Sequence, residues 1–127
     1  MSGCHFLVHE TFWQQYLNFQ VEHPEAADSL QTQLRKSKDN PASGSPLRRI
    51  SVKALQGKLF KLWVAGPSGF RYVYYYHSGK LVVLPIFLSN EPRADFDWDS
   101  APFQEIGEQI ISNLLCDLSK FTEPRVV

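Results

Sequence analysis

Three β-strands are predicted within residues 58–93, which read KLFKLWVAGPSGFRYVYYYHSGKLVVLPIFLSNEPR. In the first strand, apolar side chains at even positions alternate with Lys61 and Trp63 at odd positions, which is the period of a strand with one face toward a core. Turn-forming Gly, Pro, Ser and His residues at 66–69 and 77–79 separate it from two further apolar and aromatic runs. Because short turns join antiparallel neighbours, the stretch predicts a meandering antiparallel sheet.

Helices are predicted on both sides of this sheet. Before it, aromatic and apolar residues recur at helical spacing in 10–19, and Pro24 restarts the chain into a second apolar stripe that ends at Leu34. After it, a stripe over 103–118 predicts an amphipathic helix. With a short strand at 4–9, the order is β-α-α-β-β-β-α. This predicts an α+β fold in which two N-terminal helices and a C-terminal helix pack on a small, mainly antiparallel sheet.

The chain length and two local patterns refine this outline. At 127 residues we expect one domain over 1–127. Pro, Ser, Gly, Asn and Asp dominate 37–46, so we expect an exposed, flexible loop near 37–49. Pro85 interrupts the third strand and cannot donate to a ladder, so it predicts a bulge or an amide that faces away from a neighbouring strand.

The composition and the two cysteines predict the cellular compartment of the protein. The sequence is 43% hydrophobic, too apolar for disorder, yet has no run approaching the roughly 18 apolar residues of a membrane span. The N-terminus has no basic region followed by an apolar run, and Cys4 and Cys116 are far apart in the chain. We therefore expect a cytoplasmic protein that contacts no membrane and keeps two buried thiols; a disulfide that joins its ends is the alternative.

Charge is distributed unevenly along the chain. The formal net charge is zero, but residues 35–93 hold eleven lysines and arginines against two acids. Residues 1–34 hold four acids and no base, and residues 94–127 hold seven acids and two bases. A basic centre between acidic ends predicts a local site for a polyanion or an acidic partner. The alternative is that these cations only solvate loops and strand faces.

Two segments resemble the core signature of the RelE/ParE toxin superfamily: 55–62, LQGKLFKL, and 69–74, GFRYVY. In that family a leucine and a glycine precede one strand, and a Gly-aromatic-Arg strand follows the turn; residues 81–87, LVVLPIF, are similar to the family's third strand. The resemblance covers most of the chain. It implies the toxin of a bacterial toxin–antitoxin system, a ribosome-associated endoribonuclease that cuts mRNA by attack of a ribose 2′-hydroxyl on the adjacent phosphate. It also implies a cognate acidic antitoxin as partner.

The resemblance implies three catalytic candidates. Arg71 matches the arginine of the Gly-aromatic-Arg strand, and a guanidinium suits phosphate because its planar fork donates two hydrogen bonds. Lys61 matches a basic position on the preceding strand. Arg93 matches only loosely, because residues 89–92 replace the basic run of active members. The C-terminal tyrosine or histidine that transfers protons in the family has no match here.

Four further residues are candidate RNA contacts: Lys58, Trp63, Tyr75 and His77. If the odd-numbered face of the strands is exposed, Trp63 and Tyr75 share it with Lys61 and Arg71. Together they would form a basic and aromatic patch suited to RNA. His77 lies at a hairpin turn, where histidines are most often solvated.

Other chemistries find no support in the sequence. It has no nucleotide-binding glycine loop, zinc-ligand cluster or nucleophile elbow. Aspartates at 95, 97 and 99 fit a solvated connector with charge near a helix N-terminus, so no metal and no cofactor is predicted. The alternative function is a non-catalytic or gyrase-inhibiting protein of the same fold that acts by protein binding. The missing basic run and the zero net charge favour that alternative.

Overall fold

The structure, a computed structural model, describes residues 5–47, 50, 53–66, 69–79, 81–89 and 101–123. Its α-helices are α1 (Glu10–Glu22), α2 (Ala27–Asp39) and α3 (Ala101–Cys116). Its strands are β1 (His5–Phe6), β2 (Val8–His9), β3 (Ser45–Pro46), β4 (Leu59–Val64), β5 (Phe70–His77), β6 (Val82–Leu88) and β7 (Phe121–Thr122). Short 3-10 turns occupy Pro24–Ala26, Pro41–Ser43, Lys53–Leu55 and Leu118–Lys120.

Five strands form the main sheet in the order β1-β6-β5-β4-β3. Strand β1 runs parallel to β6 and the other pairs are antiparallel, so the predicted α+β class and the meander of β4, β5 and β6 are confirmed. The predicted element order was incomplete: β3 and β7 are additional strands, and the strand predicted at 4–9 is divided into β1 and β2, of which β2 pairs with β7 in a separate ribbon. Two-residue strands carry no alternation from which a sequence could reveal them.

The even-numbered face of β5 packs beneath α1 and α2. Its rings Phe70, Tyr72 and Tyr74 are buried in one core, together with Phe12 and Phe19 of α1 and other apolar side chains. The Phe70 ring meets the Phe19 ring edge to face, with 4.7 Å between centroids. Aromatic residues bury large apolar areas, so this layer fixes the two N-terminal helices on the sheet.

The odd-numbered face packs beneath α3 and beneath Leu47, Ile50 and Leu55 over only part of its length. Leu59, Val73 and Tyr75 share a second core with Ile110 of α3. The helix approaches closely because Gly107 faces Leu55: a Cβ at position 107 would lie 3.1 Å from the Leu55 Cδ1 atom. Helix α3 ends at Cys116, so Leu118 of the predicted stripe lies beyond it and is exposed.

Pro85 lies at an irregularity in β6. Val73 pairs with Phe87 while Tyr74 pairs with Pro85, which leaves Ile86 as an extra residue between two ladder positions. An extra residue on one strand of an antiparallel pair is a β-bulge, so the predicted bulge is confirmed.

The exposed loop predicted to begin at residue 37 is wrong in its first part. Residues 37–39 are the last turn of α2, and Ser37, Pro41 and Gly44 are all buried. Ser37 Oγ donates to the Leu34 carbonyl at 2.7 Å and lies 2.8 Å from the Tyr72 hydroxyl. The polar residues of this segment therefore serve buried tyrosines; positions 48 and 49 lie outside the described residues.

Cys116 is a free, exposed thiol, so the predicted burial is wrong for this residue, and Cys4 lies outside the described residues. Within the described part of the chain, no helix has the length and apolar character needed to cross a membrane.

Candidate functional site

Two cations meet one indole on the odd-numbered face of the sheet. Trp63 of β4 and Arg71 of β5 are direct cross-strand partners, and Lys61 lies two residues before Trp63 on the same face. The Lys61 Nζ atom is 5.0 Å from the Trp63 ring centroid, and the Arg71 Cζ atom is 5.1 Å from it. Both distances fall within the range of cation–π attraction. We call Lys61, Trp63 and Arg71 the Trp63 cluster.

Ser89 fixes the backbone of Arg71. The Arg71 N–H donates to Ser89 Oγ at 2.8 Å, and the Ser89 N–H donates to the Arg71 carbonyl at 2.9 Å. Ser89 is 3% exposed and follows the last residue of β6. Its hydroxyl therefore takes the place of a ladder carbonyl and extends the pairing of β5 and β6 as far as Arg71.

Helix α2 holds the backbone of β4 at and just beyond Trp63, at the edge of the sheet. Strand β3 pairs with β4 only at Phe60 and Lys61, and no other strand of the described residues pairs with this edge of β4 beyond them. There the Gln33 side-chain amide donates to the Trp63 carbonyl at 2.7 Å, and the Ala65 N–H donates to Ser29 Oγ at 2.6 Å. These contacts satisfy backbone groups that an open edge would expose to other chains.

The Trp63 cluster lies at the end of the face where the second core stops. Its three residues are half-buried, whereas the neighbouring Val73 and Tyr75 are buried in that core. Two cations held against one ring create a local positive potential in a partly desolvated position. Such an arrangement can bind a phosphate oxyanion through charge-assisted hydrogen bonds and can stabilise charge that develops on it. The three residues include no histidine, carboxylate or tyrosine, the side chains that most often transfer protons in catalysis.

The remaining predicted residues lie elsewhere. Tyr75 is 5% exposed, and burial raises the pKa of its phenol, so its ring has no free surface on which a base could stack. The expectation that the odd face is exposed at this position is wrong. His77 is six residues along β5 from Arg71, about 20 Å at the rise of a strand. Lys58 lies in the turn just before β4, where its carbonyl accepts a hydrogen bond from the Tyr76 N–H at 2.7 Å.

Arg93 and the aspartates at 95, 97 and 99 lie outside the described residues. Among the side chains that are described, no group of three or more His, Cys, Asp or Glu is arranged to hold a metal ion.

Sequence reasoning missed the two residues that support the cluster. Ser89 enters the sequence analysis only within 89–92, the segment that replaces a basic run, and the sequence analysis does not single out Gln33. Ser89 is 18 residues from Arg71 and Gln33 is 30 residues from Trp63, so no local pattern marks either contact.

Comparison with known proteins supports the fold. No family model matches the sequence, and no curated protein matches it. Among solved structures, the chain is similar to the crystal structure of the isolated E. coli RelE toxin, with a TM-score of 0.55 and 17% sequence identity. The similarity covers 85% of this chain and 99% of that one. The fold is therefore RelE-like; identity this low shows the fold alone.

Proposed function

We propose that this chain is the toxin of a toxin–antitoxin system and acts in the cytoplasm as a ribosome-associated endoribonuclease on mRNA. One observation carries the proposal: on a RelE-like sheet, Lys61 and Arg71 converge on Trp63 at the end of a face that α3 leaves half-open. That convergence is what a phosphate site requires, because two cations can engage the non-bridging oxygens of one phosphodiester.

In the proposed reaction the ribose 2′-oxygen bonds to the adjacent phosphorus and the bond from phosphorus to the 5′-oxygen breaks, which gives a 2′,3′-cyclic phosphate and a 5′-hydroxyl. Water accepts the proton of the 2′-hydroxyl and protonates the leaving 5′-oxygen. Negative charge builds on the phosphoryl oxygens, and Arg71 and Lys61 stabilise it. Trp63 holds the two cations close together and partly shielded from water, which strengthens their interaction with an anion. Arg93 remains a third catalytic candidate, and Lys58 and His77 remain candidate contacts to RNA outside the cluster.

The proposed regulator is an acidic segment of a cognate antitoxin. Residues 35–93 carry a net charge of +9, while both ends of the chain are acidic. An acidic segment that lies over the Trp63 cluster would compete with RNA for the same two cations.

The test is induced expression of the chain in a bacterial host, with growth and the half-life of a reporter mRNA followed together. We expect growth arrest and loss of message, and Arg71→Ala should slow cleavage about a hundredfold, as when one oxyanion donor is removed. Lys120→Ala is the control, because Lys120 pairs with Glu10 at 3.3 Å in an acidic part of the chain and should leave activity unchanged. Normal growth with an intact message would refute the proposal.

The alternative is a non-catalytic or gyrase-inhibiting protein that acts by protein binding. It is favoured by a specific observation: the cluster offers charge stabilisation without a proton-transfer group, and the net charge of the chain is zero. In the same experiment, growth arrest with intact messages and altered plasmid supercoiling would support this function over the endoribonuclease.

A further inference from the structure

A serine lies beside the Trp63 cluster at the outer edge of the sheet. Strand β3 is the last strand on this side, and its Ser45 is the direct cross-strand partner of Lys61. Residues paired in this way carry their side chains on one face, with Cβ atoms about 5 Å apart. Ser45 is exposed, and its hydroxyl makes no hydrogen bond within the described residues. An unused donor therefore lies next to a cation of the proposed phosphate site.

Helix α2 runs beside the same edge, in the direction opposite to β4. Ser29 meets the backbone of Ala65 and, one turn later, Gln33 meets the backbone of Trp63. One helical turn advances about 5.4 Å and two residues of a strand advance about 6.6 Å, so the two elements keep pace with each other. The next turn of α2 therefore lies at the level of Lys61, where β3 joins the edge.

Lys36 belongs to the face of α2 that borders this edge. It follows Ser29 by seven residues and Gln33 by three, which is the spacing of one helical face. It is exposed, lies in the basic last turn of the helix and makes no ion pair within the described residues. Its neighbour Arg35 is also exposed, but lies about 100° farther around the helix, away from the edge.

Two neighbouring tyrosines of β5 fix the end of α2 and the start of β3 near each other. Ser37 Oγ lies 2.8 Å from the Tyr72 hydroxyl, and the Gly44 N–H donates to the Tyr74 hydroxyl at 3.1 Å. The centroids of the two rings are 5.5 Å apart. The exposed lysine and the exposed serine adjoin these two buried contacts in the chain, so both are held at the same end of the edge.

We propose that RNA leaves the Trp63 cluster across β3. Ser45 Oγ donates a hydrogen bond to the phosphate that Lys61 binds, and Lys36 binds the next phosphate of the strand. We call Lys61, Ser45 and Lys36 the β3 path. Its ligand is a single strand with at least two consecutive phosphates, because single strands are held by cations and donors that follow the backbone. The inference rests on the proposed function, since it takes the Trp63 cluster as a site for RNA phosphate.

The test is equilibrium binding of a labelled 2′-O-methyl RNA hexanucleotide, which has no 2′-hydroxyl to react, to the full chain at several salt concentrations. Lys36→Ala should weaken binding about fivefold and reduce the slope of log K against log salt by about 0.7, the value for one phosphate contact of a single strand. Ser45→Ala should also weaken binding about fivefold but leave the slope unchanged, because a neutral hydroxyl releases no counterion. Ser45→Thr keeps the hydroxyl and should restore binding.

Arg35→Ala is the matched control, because it removes the same charge one residue away on another side of the helix. It should change binding less than about twofold. Equal weakening by Arg35→Ala and Lys36→Ala would show diffuse attraction to a basic helix and would overturn the β3 path. An octaglutamate peptide that binds as tightly as the RNA, with the same losses in Lys36→Ala and Ser45→Ala, would assign the path to an acidic protein segment and overturn the assignment to RNA.

The same assay separates this inference from the proposed function. If Lys61→Ala and Arg71→Ala leave RNA binding unchanged, the Trp63 cluster is not a phosphate site and both proposals fail. If these two variants weaken binding while Lys36→Ala and Ser45→Ala do not, only the β3 path fails. If all four weaken binding but RNA with free 2′-hydroxyls stays intact, the β3 path is supported and the endoribonuclease function fails.

Discussion

His9 and Asn113 join the N-terminal and C-terminal parts of the chain through a hydrogen bond of 2.7 Å between Nε2 and Oδ1. The other ring nitrogen, Nδ1, accepts the Thr11 N–H at 3.2 Å and so caps the start of α1. Because Nδ1 accepts, Nε2 carries the proton and donates to Asn113. The Phe121 ring meets the imidazole edge to face at 5.1 Å. One buried side chain thus connects α1, α3 and β7.

Replacement of His9 by alanine should destabilise the protein by about 2–4 kcal/mol. The substitution removes the helix cap, leaves Asn113 without its partner and opens a cavity beside Phe121. Urea denaturation measures the change. His5→Ala is the control: His5 is exposed and lies 3.5 Å from Glu123, so its loss should cost less than about 0.5 kcal/mol. Equal effects of the two substitutions would contradict a structural role for His9.

Gly44 is held against a buried tyrosine, and Gly44→Ala should cost about 1–3 kcal/mol. A Cβ at this position would lie 2.7 Å from the Tyr74 hydroxyl oxygen and 3.0 Å from the Phe60 Cβ atom. The same hydroxyl accepts the Gly44 N–H at 3.1 Å and donates to the Pro41 carbonyl, so it cannot move aside without losing two bonds.

A double-mutant cycle isolates this contact. Tyr74→Phe removes the hydroxyl oxygen, so Gly44→Ala should cost less in the Tyr74→Phe background than in the native chain. The residual cost reflects the Phe60 contact, which the cycle leaves in place. Strictly additive free energies of unfolding would show that the hydroxyl is not the obstacle.

Stability should fall above about pH 10 because Tyr72 is buried as a neutral phenol. Burial raises the pKa of Tyr72 well above its ordinary value of 10.0, and its hydrogen bond to Ser37 opposes the shift only in part. Above pH 10 the unfolded chain loses this proton while the folded chain retains it, so a rise in pH favours unfolding. The contribution of Tyr72 to the free energy of unfolding is fully present below pH 10 and is lost progressively as the pH rises above it.

The slope due to Tyr72 approaches about 1.4 kcal/mol per pH unit. Urea denaturation between pH 8 and 11 measures it, and Tyr72→Phe should reduce the slope while lowering stability at pH 8 through the lost hydrogen bond. Tyr74 and Tyr75, whose pKa values burial also raises, should supply the slope that remains. An unchanged slope in Tyr72→Phe would contradict the assignment.

The elements predicted correctly are those with a long internal period. Strands β4 to β6 and the three helices repeat apolar positions over six or more residues, and periodicity also places Lys61 and Trp63 on one face. Tertiary packing decides which part of that face remains exposed. Tyr75 is buried and Trp63 is half-buried because Gly107 lets α3 lie against Leu55, a contact across 52 residues of sequence. No local pattern encodes it.

The prediction of an exposed loop from residue 37 was wrong in its first part for a related reason. Its Ser, Pro and Gly residues have the composition of an exposed loop, yet Ser37 and Gly44 contact tyrosine hydroxyls 35 and 30 residues away. A buried tyrosine needs a polar partner for its hydroxyl, so polar residues can lie inside the protein wherever such rings are packed. The tyrosines of β5 indicate that buried hydroxyls need polar partners, but no local pattern identifies the segment that supplies them.

Ser89 should control activity at Arg71 without touching RNA. Ser89→Ala removes the acceptor for the Arg71 N–H at 2.8 Å, frees the end of β5 and should lower cleavage about tenfold, a loss expected from misplacement of a cation by a fraction of an ångström. Ser89→Thr keeps the hydroxyl and should restore most of the activity. Single-turnover cleavage of an RNA substrate, measured beside urea denaturation, separates this positioning effect from a loss of fold. If both variants lose activity in proportion to stability, Ser89 is a packing residue only. If Arg71→Ala has no effect on cleavage, the proposed catalytic site is refuted. The hydrogen bond between the Arg71 N–H and Ser89 would in that case remain a structural contact without a role in activity.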